Sequence, residues 1–278
     1  MKLNPIFKKD IKVQSRGYDL LGLLCVVDSL LFFVGIFGML AITSRLRQSM
    51  EADYGALLKI YGVIAILSFA ALTAVGPAMT SGSISGERQT KTLELLLTTR
   101  ISLKSIVIGK LEAAFYSLTI LVISSIPALM LPLLYGGLGL LDVGMIIFAF
   151  LVSALMYLSI GMYAGAGRKT VQKSTVAAYG ILLIFLAETA LPGMLSAPFC
   201  TENRDNMMAL LLMANPFMTM LELISEQTGW GFAETLHASL NCRYFEILSG
   251  AYVWISLTIQ LAISAAFTAV AIRKGRQL

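Results

Sequence analysis

Charge is what this sequence has least of. Asp, Glu, Lys and Arg make up 13% of its 278 residues, where soluble domains carry about 25%. Hydrophobic residues reach 57%, mean hydropathy is +0.80, and apolar runs longer than about 18 residues recur along the chain. A soluble cytosolic enzyme is excluded, and a membrane protein is implied. Metal-ligand types are equally scarce. His237 is the only histidine, and Cys25, Cys200 and Cys242 show no CxxC or Cys/His spacing, so no metal site is expected from them. Cys25 falls in an apolar run and reads as packing. Cys200 and Cys242 fall in one loop, where a disulfide is allowed but not required.

Catalytic signatures are missing too. There is no HExxH, no G-x-S-x-G and no paired DxxD within an apolar run, which leaves an intramembrane enzyme without residues. The string Gly165-Ala-Gly-Arg-Lys-Thr170 ends like a phosphate-binding loop but lacks the Gly directly before the Lys, and no strand leads into it. Any ATP-driven work would need an ATPase on another chain. The net charge of +5 and pI near 9.1 bring nucleic acid to mind. The basic residues, however, flank apolar runs and do not cover one soluble face, so no nucleic-acid partner is expected.

What is present is a set of membrane-length segments. Six spans are expected, at about 18–42, 57–80, 106–133, 143–165, 175–197 and 250–272, each long enough for roughly 30 Å of hydrocarbon. Pro127 and Pro132 should bend or end the third span, and Gly76-Pro77 should disturb the second. Segments 1–17, 81–110, 166–174 and 273–278 hold five, five, three and three of the 21 Lys and Arg residues; Arg45, Arg47, Lys59, Arg204 and Arg243 lie opposite. By the positive-inside rule both termini and residues 81–110 face the cytoplasm. Sixteen polar-rich residues precede a first apolar stretch too long for a signal-peptide core, so no cleaved signal is read there. The expected fold is an all-α membrane protein forming a single transmembrane domain over residues 1–278.

Around the spans lie three further segments. Asn4-Pro5 is a helix start. Residues 1–17 then carry Phe7, Ile11 and Gln14 on one side, with Lys8, Lys9, Lys12 and Arg16 elsewhere, as in an interfacial elbow helix. Residues 199–249, between the fifth and sixth spans, hold a short apolar run, Met207–Ile224, broken by Asn215-Pro216. Treating it as a seventh span would turn the basic C-terminus outward. It is read as an outer-face excursion whose short helices lie on or dip into the membrane, in keeping with its excess of carboxylates (Glu202, Asp205, Glu222, Glu226, Glu234 and Glu246). Met207, Met208, Met213, Met218 and Met220 read as membrane contact or core packing. The third segment is cytoplasmic, 81–105, within which Leu93, Leu96, Leu97 and Ile101 recur at i, i+3, i+4 and i+8, one face of a short amphipathic helix. Gly82 and Gly86 loosen its entry.

Two carboxylates, Asp28 and Glu188, fall inside spans. Each is either part of a substrate or proton pathway or hydrogen-bonded to a neighbouring Ser or Tyr that orders the bundle. Gly161 and Gly165 form a small-xxx-small pair suited to close helix packing.

Ile84-Ser-Gly-Glu-Arg-Gln-Thr-Lys-Thr-Leu-Glu-Leu-Leu-Leu-Thr98, placed after the second span, resembles the SGERE-x-GTLELLL-x-T stretch of ABC exporter permeases of the ABC-2 membrane family. Ser105-Ile-Val-Ile-Gly-Lys110 resembles that family's re-entry into its third helix. Asn4–Lys12 looks like its elbow helix, and Asn215-Pro-Phe217 is similar to an Asn-Pro element found between its last two spans. One departure is Lys91, where the family usually has Gly, which bears on the turn there and not on the assignment. The resemblance covers essentially the whole chain. It implies a permease subunit without its own nucleotide site, binding no cofactor itself and driven by two copies of a cytoplasmic ABC ATPase subunit that bind ATP and Mg. It also implies a second permease chain, identical or related, in a bacterial cytoplasmic (inner) membrane. Residues 87–99 would form the coupling helix, with Glu87, Arg88, Thr92, Leu93 and Glu94 docking the ATPase. The alternative is a non-transporting membrane scaffold or sensor that holds a cytoplasmic partner through the same loop.

Overall fold

The computed structural model describes residues 5–14, 18–49, 54–92, 102–131, 138–196, 212–229 and 251–276. Among them every regular element is helical: α1 Pro5–Gln14, α2 Tyr18–Ser49, α3 Tyr54–Gln89, α4 Leu103–Met130, α5 Leu140–Ala166, α6 Val171–Ser196, α7 Pro216–Thr228 and α8 Tyr252–Arg276. Helices α2, α3, α4, α5 and α8 are each long and apolar enough to cross a bilayer, and α6 contributes a shorter apolar stretch, Val171–Ala187. The chain is thus a multi-pass helical membrane protein. A helix satisfies its own backbone groups where no water can, which is why apolar runs of this length fold no other way.

Local chemistry sets the helix ends. The Ser102 hydroxyl accepts the Ser105 N–H at 3.2 Å and opens α4. The Asp142 carboxylate accepts the Gly139 N–H at 2.8 Å at the start of α5. Asn215 caps α7 by accepting the Phe217 N–H at 2.9 Å, with Pro216 in the first position, where its missing N–H costs nothing. Gly229, at φ 61°, closes that helix in the left-handed conformation. Pro127 lies inside α4, which ends at Met130, before Pro132. Contrary to expectation, α3 does not end near residue 80. It continues through Gly76-Pro77, Gly82 and Gly86 as one helix to Gln89.

Helix α5 is the centre of the bundle, packing most extensively on α3 and α8 and also on α4, α6 and α7. Ile146, Phe150, Tyr157 and Leu158 on it are buried, and Phe69 of α3 stacks near Phe150 and Tyr157 with ring centroids 5.8 and 6.1 Å away. Glycine brings the two backbones together. A Cβ on Gly161 would stand 2.5 Å from the Pro77 carbonyl oxygen, and one on Gly165 would stand 2.6 Å from that of Ser81. Only hydrogen fits at these positions. The Thr80 hydroxyl uses the proximity to donate to the Leu158 carbonyl at 2.7 Å.

At the periphery, α2 is the least buried of the five membrane-length helices, with Leu21, Val26, Phe33 and Leu40 exposed. Within 199–249, the described residues 212–229 enter the bundle. Met213, Met218, Met220, Leu221, Leu223 and Ile224 are buried, and the Asn215 side-chain amide donates to the Phe185 carbonyl of α6 at 2.5 Å. The three described methionines are therefore core packing. Met207, Met208, Cys200 and Cys242 lie outside the described residues.

Candidate functional site at the basic end

The last two turns of α3 carry Glu87, Arg88 and Gln89 to the end of the bundle where most of the Lys and Arg residues gather. Continuous helix fixes their directions, and each meets a different neighbour. Glu87 Oε1 is 2.9 Å from the Lys110 ammonium of α4, and the same ammonium is 3.7 Å from Asp10 Oδ2 of α1. Lys110 is only 8% exposed and Glu87 16%. The second oxygen, Glu87 Oε2, is buried without a hydrogen-bond partner. One buried cation thus holds carboxylates from two other helices, an arrangement whose members are costly to remove singly.

Arg88 turns the other way. Its guanidinium donates to the carbonyls of Arg168 and Ala166 at 3.2 and 3.3 Å, capping the exposed acceptors at the end of α5. Gln89 accepts the Val171 N–H at 3.4 Å, where α6 begins. From α8, the Lys274 ammonium donates to the Tyr163 hydroxyl at 2.9 Å and lies 4.1 Å from that ring's centre. A small apolar cluster of Ile84, Val107, Met162, Ala166 and Ala271 lies beneath these groups. The end of α3 is therefore bound to α4, α5 and α6 at once, and through Lys110 it is linked to Asp10 of α1.

Beyond Gln89 the chain turns at Lys91, whose φ of 57° is the one left-handed non-glycine conformation among the described residues. Its N–H donates to the Arg88 carbonyl at 3.1 Å, and the Thr92 hydroxyl donates to the Glu87 carbonyl at 3.1 Å. Lys91, the one departure from the motif resemblance, is thus a left-handed turn. Of the residues expected to dock a partner, Glu87 and Arg88 make contacts within the chain, and Thr92 is exposed at the turn. Leu93 and Glu94 lie outside the described residues, as does most of the expected amphipathic helix.

The span carboxylates fall elsewhere. Asp28 is half-buried, 3.0 Å from the Ser124 hydroxyl of α4. That hydroxyl is also 2.9 Å from the Leu121 carbonyl, and its one proton serves one acceptor at a time. The side chain of Glu188 lies outside the described residues.

A second polar constellation was not singled out from the sequence. Midway through the bundle, Ser153 of α5 donates to Gln260 Oε1 of α8 at 2.9 Å. Gln260 Nε2 donates to the Thr219 hydroxyl of α7 at 2.9 Å, and the Ser256 hydroxyl reaches the Met213 carbonyl at 2.6 Å. All four side chains are buried. Ser256, Gln260 and Ser264 recur at i, i+4 and i+8 on an otherwise apolar helix, a polar stripe that marks an inward face. Toward the other end of the bundle, Tyr61 of α3 donates to Gln227 Oε1 at 2.9 Å, and Gln227 Nε2 donates to the Asp142 carbonyl at 2.8 Å. Near that end, burial pushes the Glu226 carboxyl above its ordinary range, with the Glu222 charge adding to the effect.

Among the described residues no group of three or more His, Cys, Asp and Glu side chains is placed to hold a metal ion. No curated protein matches the chain. Residues 5–274 match the family model described as ABC-2 family transporter protein, and on that match, which spans nearly the whole sequence, the chain belongs to this family.

Proposed function

We propose that this chain is the membrane-spanning permease subunit of an ATP-driven exporter in a bacterial inner membrane, with six spans and both termini in the cytoplasm. Two such chains, identical or related, pair with two cytoplasmic ATPase subunits that supply the ATP and Mg chemistry. Permeases of the ABC-2 family generally work with a cytoplasmic ATPase. Residues 81–105 are the coupling segment, α1 is the elbow helix, and the segment beyond Lys91, with Thr92, Leu93 and Glu94, docks the ATPase. Glu87 and Arg88 contribute by holding the base of that segment to the bundle.

The observation that carries this reading is that α3 runs uninterrupted from Tyr54 to Gln89. At about 1.5 Å per residue it is a lever on the order of 50 Å long. At one end it is fastened through Glu87, Arg88 and Gln89 to α4 and the α5–α6 turn. At the other, Tyr61 is hydrogen-bonded to Gln227 of α7. A push on the coupling segment is therefore applied to a helix that reaches the far end of the bundle, the connection that rigid-body switching of access would use.

The test is co-purification of the full chain from nanodiscs with its ATPase, comparing wild type with Thr92→Arg/Glu94→Lys. Both changes leave the Glu87 and Arg88 side chains in place; Thr92→Arg gives up only the Thr92 hydroxyl's bond to the Glu87 carbonyl. The expected result is an ATPase that accompanies the wild type and whose stimulated hydrolysis falls by roughly tenfold in the variant, as for about 1.4 kcal/mol of lost docking. If no ATPase associates, or if the variant behaves as wild type, the docking assignment fails and the scaffold alternative takes its place.

A further inference from the structure

The two sides of α1 do different things. Ile6 is buried, Phe7 meets Tyr116 of α4 edge-on at 6.5 Å, and Asp10 reaches Lys110. Lys8, Lys9 and Lys12 are exposed, and helical spacing groups them on the side away from Ile6 and Asp10. Val13 beside them is 63% exposed. On the adjoining stretch of α4, Lys104 is exposed, and so is one carboxylate, Glu112. The surface is therefore net positive, with an exposed valine and the Phe7–Tyr116 aromatic pair at its border. Such a surface at the edge of a membrane bundle fits acidic headgroups above acyl chains.

Behind it lies a chain of charge. Asp10 sits on the inward side of this same helix, and the Lys110 ammonium it faces is the one paired with Glu87 at 2.9 Å. Glu87 is two residues from the end of α3. Seating α1 holds Asp10 beside the Lys110 ammonium and so helps to fix in place the cation that Glu87 pairs with.

We propose that α1 is a lipid-reading element: Lys8, Lys9 and Lys12 bind the headgroups of anionic phospholipids in the bilayer, and occupancy is passed through Asp10, Lys110 and Glu87 to the end of α3. The proposal rests on the reading of residues 81–105 as the coupling segment, because that is what the relay would tune. Anionic lipid draws α1 onto the membrane surface, fixes Asp10 against Lys110 and steadies the base of the coupling segment. A purely zwitterionic bilayer leaves the helix less firmly seated.

The test is hydrogen exchange of the full chain in nanodiscs, without any ATPase, in phosphatidylcholine alone and in phosphatidylcholine with one quarter phosphatidylglycerol. In wild type the anionic lipid should slow exchange by roughly fivefold, both in α1 and in residues 84–89, the effect of about one lysine at an anionic surface. Lys8→Gln/Lys9→Gln/Lys12→Gln should abolish the lipid dependence at both places. Asp10→Asn should keep the slowing in α1 and lose it at 84–89, and Asp10→Glu should restore it. Equal exchange of wild-type α1 in the two bilayers overturns the binding. A response at 84–89 that persists in Asp10→Asn overturns the relay. Neither outcome involves an ATPase, so failure here leaves the docking test standing, and failure there leaves the lipid binding standing.

Discussion

Two polar clusters tie helices together in this bundle, and they are made of opposite materials. At the basic end, Lys110 joins Glu87 and Asp10, and Arg88 reaches the carbonyls of Ala166 and Arg168. Midway through the bundle the same task falls to Ser153, Gln260, Thr219 and Ser256, with no formal charge among them. The difference follows from the solvent each cluster borders. In hydrocarbon an ion has no water to return to when a contact opens, so neutral amides and hydroxyls are the cheaper fasteners. At the membrane surface a charged group exposed by a helix movement is resolvated at once. The neutral cluster therefore suits a fixed packing, and the charged one suits a joint that opens and closes.

The largest expected effect breaks the charged cluster. Lys110→Met leaves Glu87 and Asp10 without their shared cation, and Glu87 already has one oxygen unsatisfied. Removing one partner of a buried ion pair costs about 3–5 kcal/mol, and detergent-solubilised protein should unfold correspondingly earlier in denaturant. Adding Glu87→Gln to Lys110→Met should recover part of that loss, because the stranded charge is gone. An unchanged midpoint in Lys110→Met would show that the ionic contacts hold nothing, and the contrast between the two clusters would collapse.

Breaking the neutral cluster should cost less. Gln260→Leu removes the amide that accepts from Ser153 and donates to Thr219, leaving the buried Ser153 hydroxyl to find a backbone carbonyl and the Thr219 hydroxyl without that donor. Hydrogen bonds between membrane helices average about 0.6 kcal/mol each, so a loss of about 1–2 kcal/mol is expected in the same unfolding assay. A loss as large as that of Lys110→Met would mean that the two materials are equivalent here.

How much of this was readable from residue order differs between the clusters. The helices were legible because runs of apolar residues admit one fold in lipid, and Gly161 and Gly165 proclaimed a close approach through their spacing alone. Asn215-Pro216 read as a break and is the cap of a helix that enters the bundle. The charged cluster was half legible. Glu87 and Arg88 stood out by motif resemblance, but their partners Lys110, Ala166 and Arg168 lie 23, 78 and 80 positions away, and nothing local links them. The continuation of α3 past the expected span has a related reason. Gly82, Gly86 and Pro77 weaken a helix in isolation, whereas here Gly82 packs against Val171 and the helix is carried by its neighbours. The neutral cluster left a signal in the Ser256, Gln260 and Ser264 spacing.

The smallest effect concerns the turn that follows the charged cluster. Lys91 holds φ at 57°, a conformation that costs a residue with a Cβ about 1–2 kcal/mol and costs glycine almost nothing. The turn is kept in spite of this by the Lys91 N–H on the Arg88 carbonyl and by the Thr90 and Thr92 hydroxyls, which donate to the Gly86 and Glu87 carbonyls at 3.0 and 3.1 Å. Lys91→Gly removes the strain but gives the unfolded chain more freedom, which offsets part of the gain. A net stabilisation of about 0.5–1 kcal/mol is expected, a rise of about 1–4 °C in melting temperature for a chain of this size. The sign sharpens the comparison, because it separates backbone geometry from side-chain charge at the basic end. If Lys91→Gly destabilises the protein, the ammonium itself is part of the charged cluster, and the joint extends two residues past the end of α3.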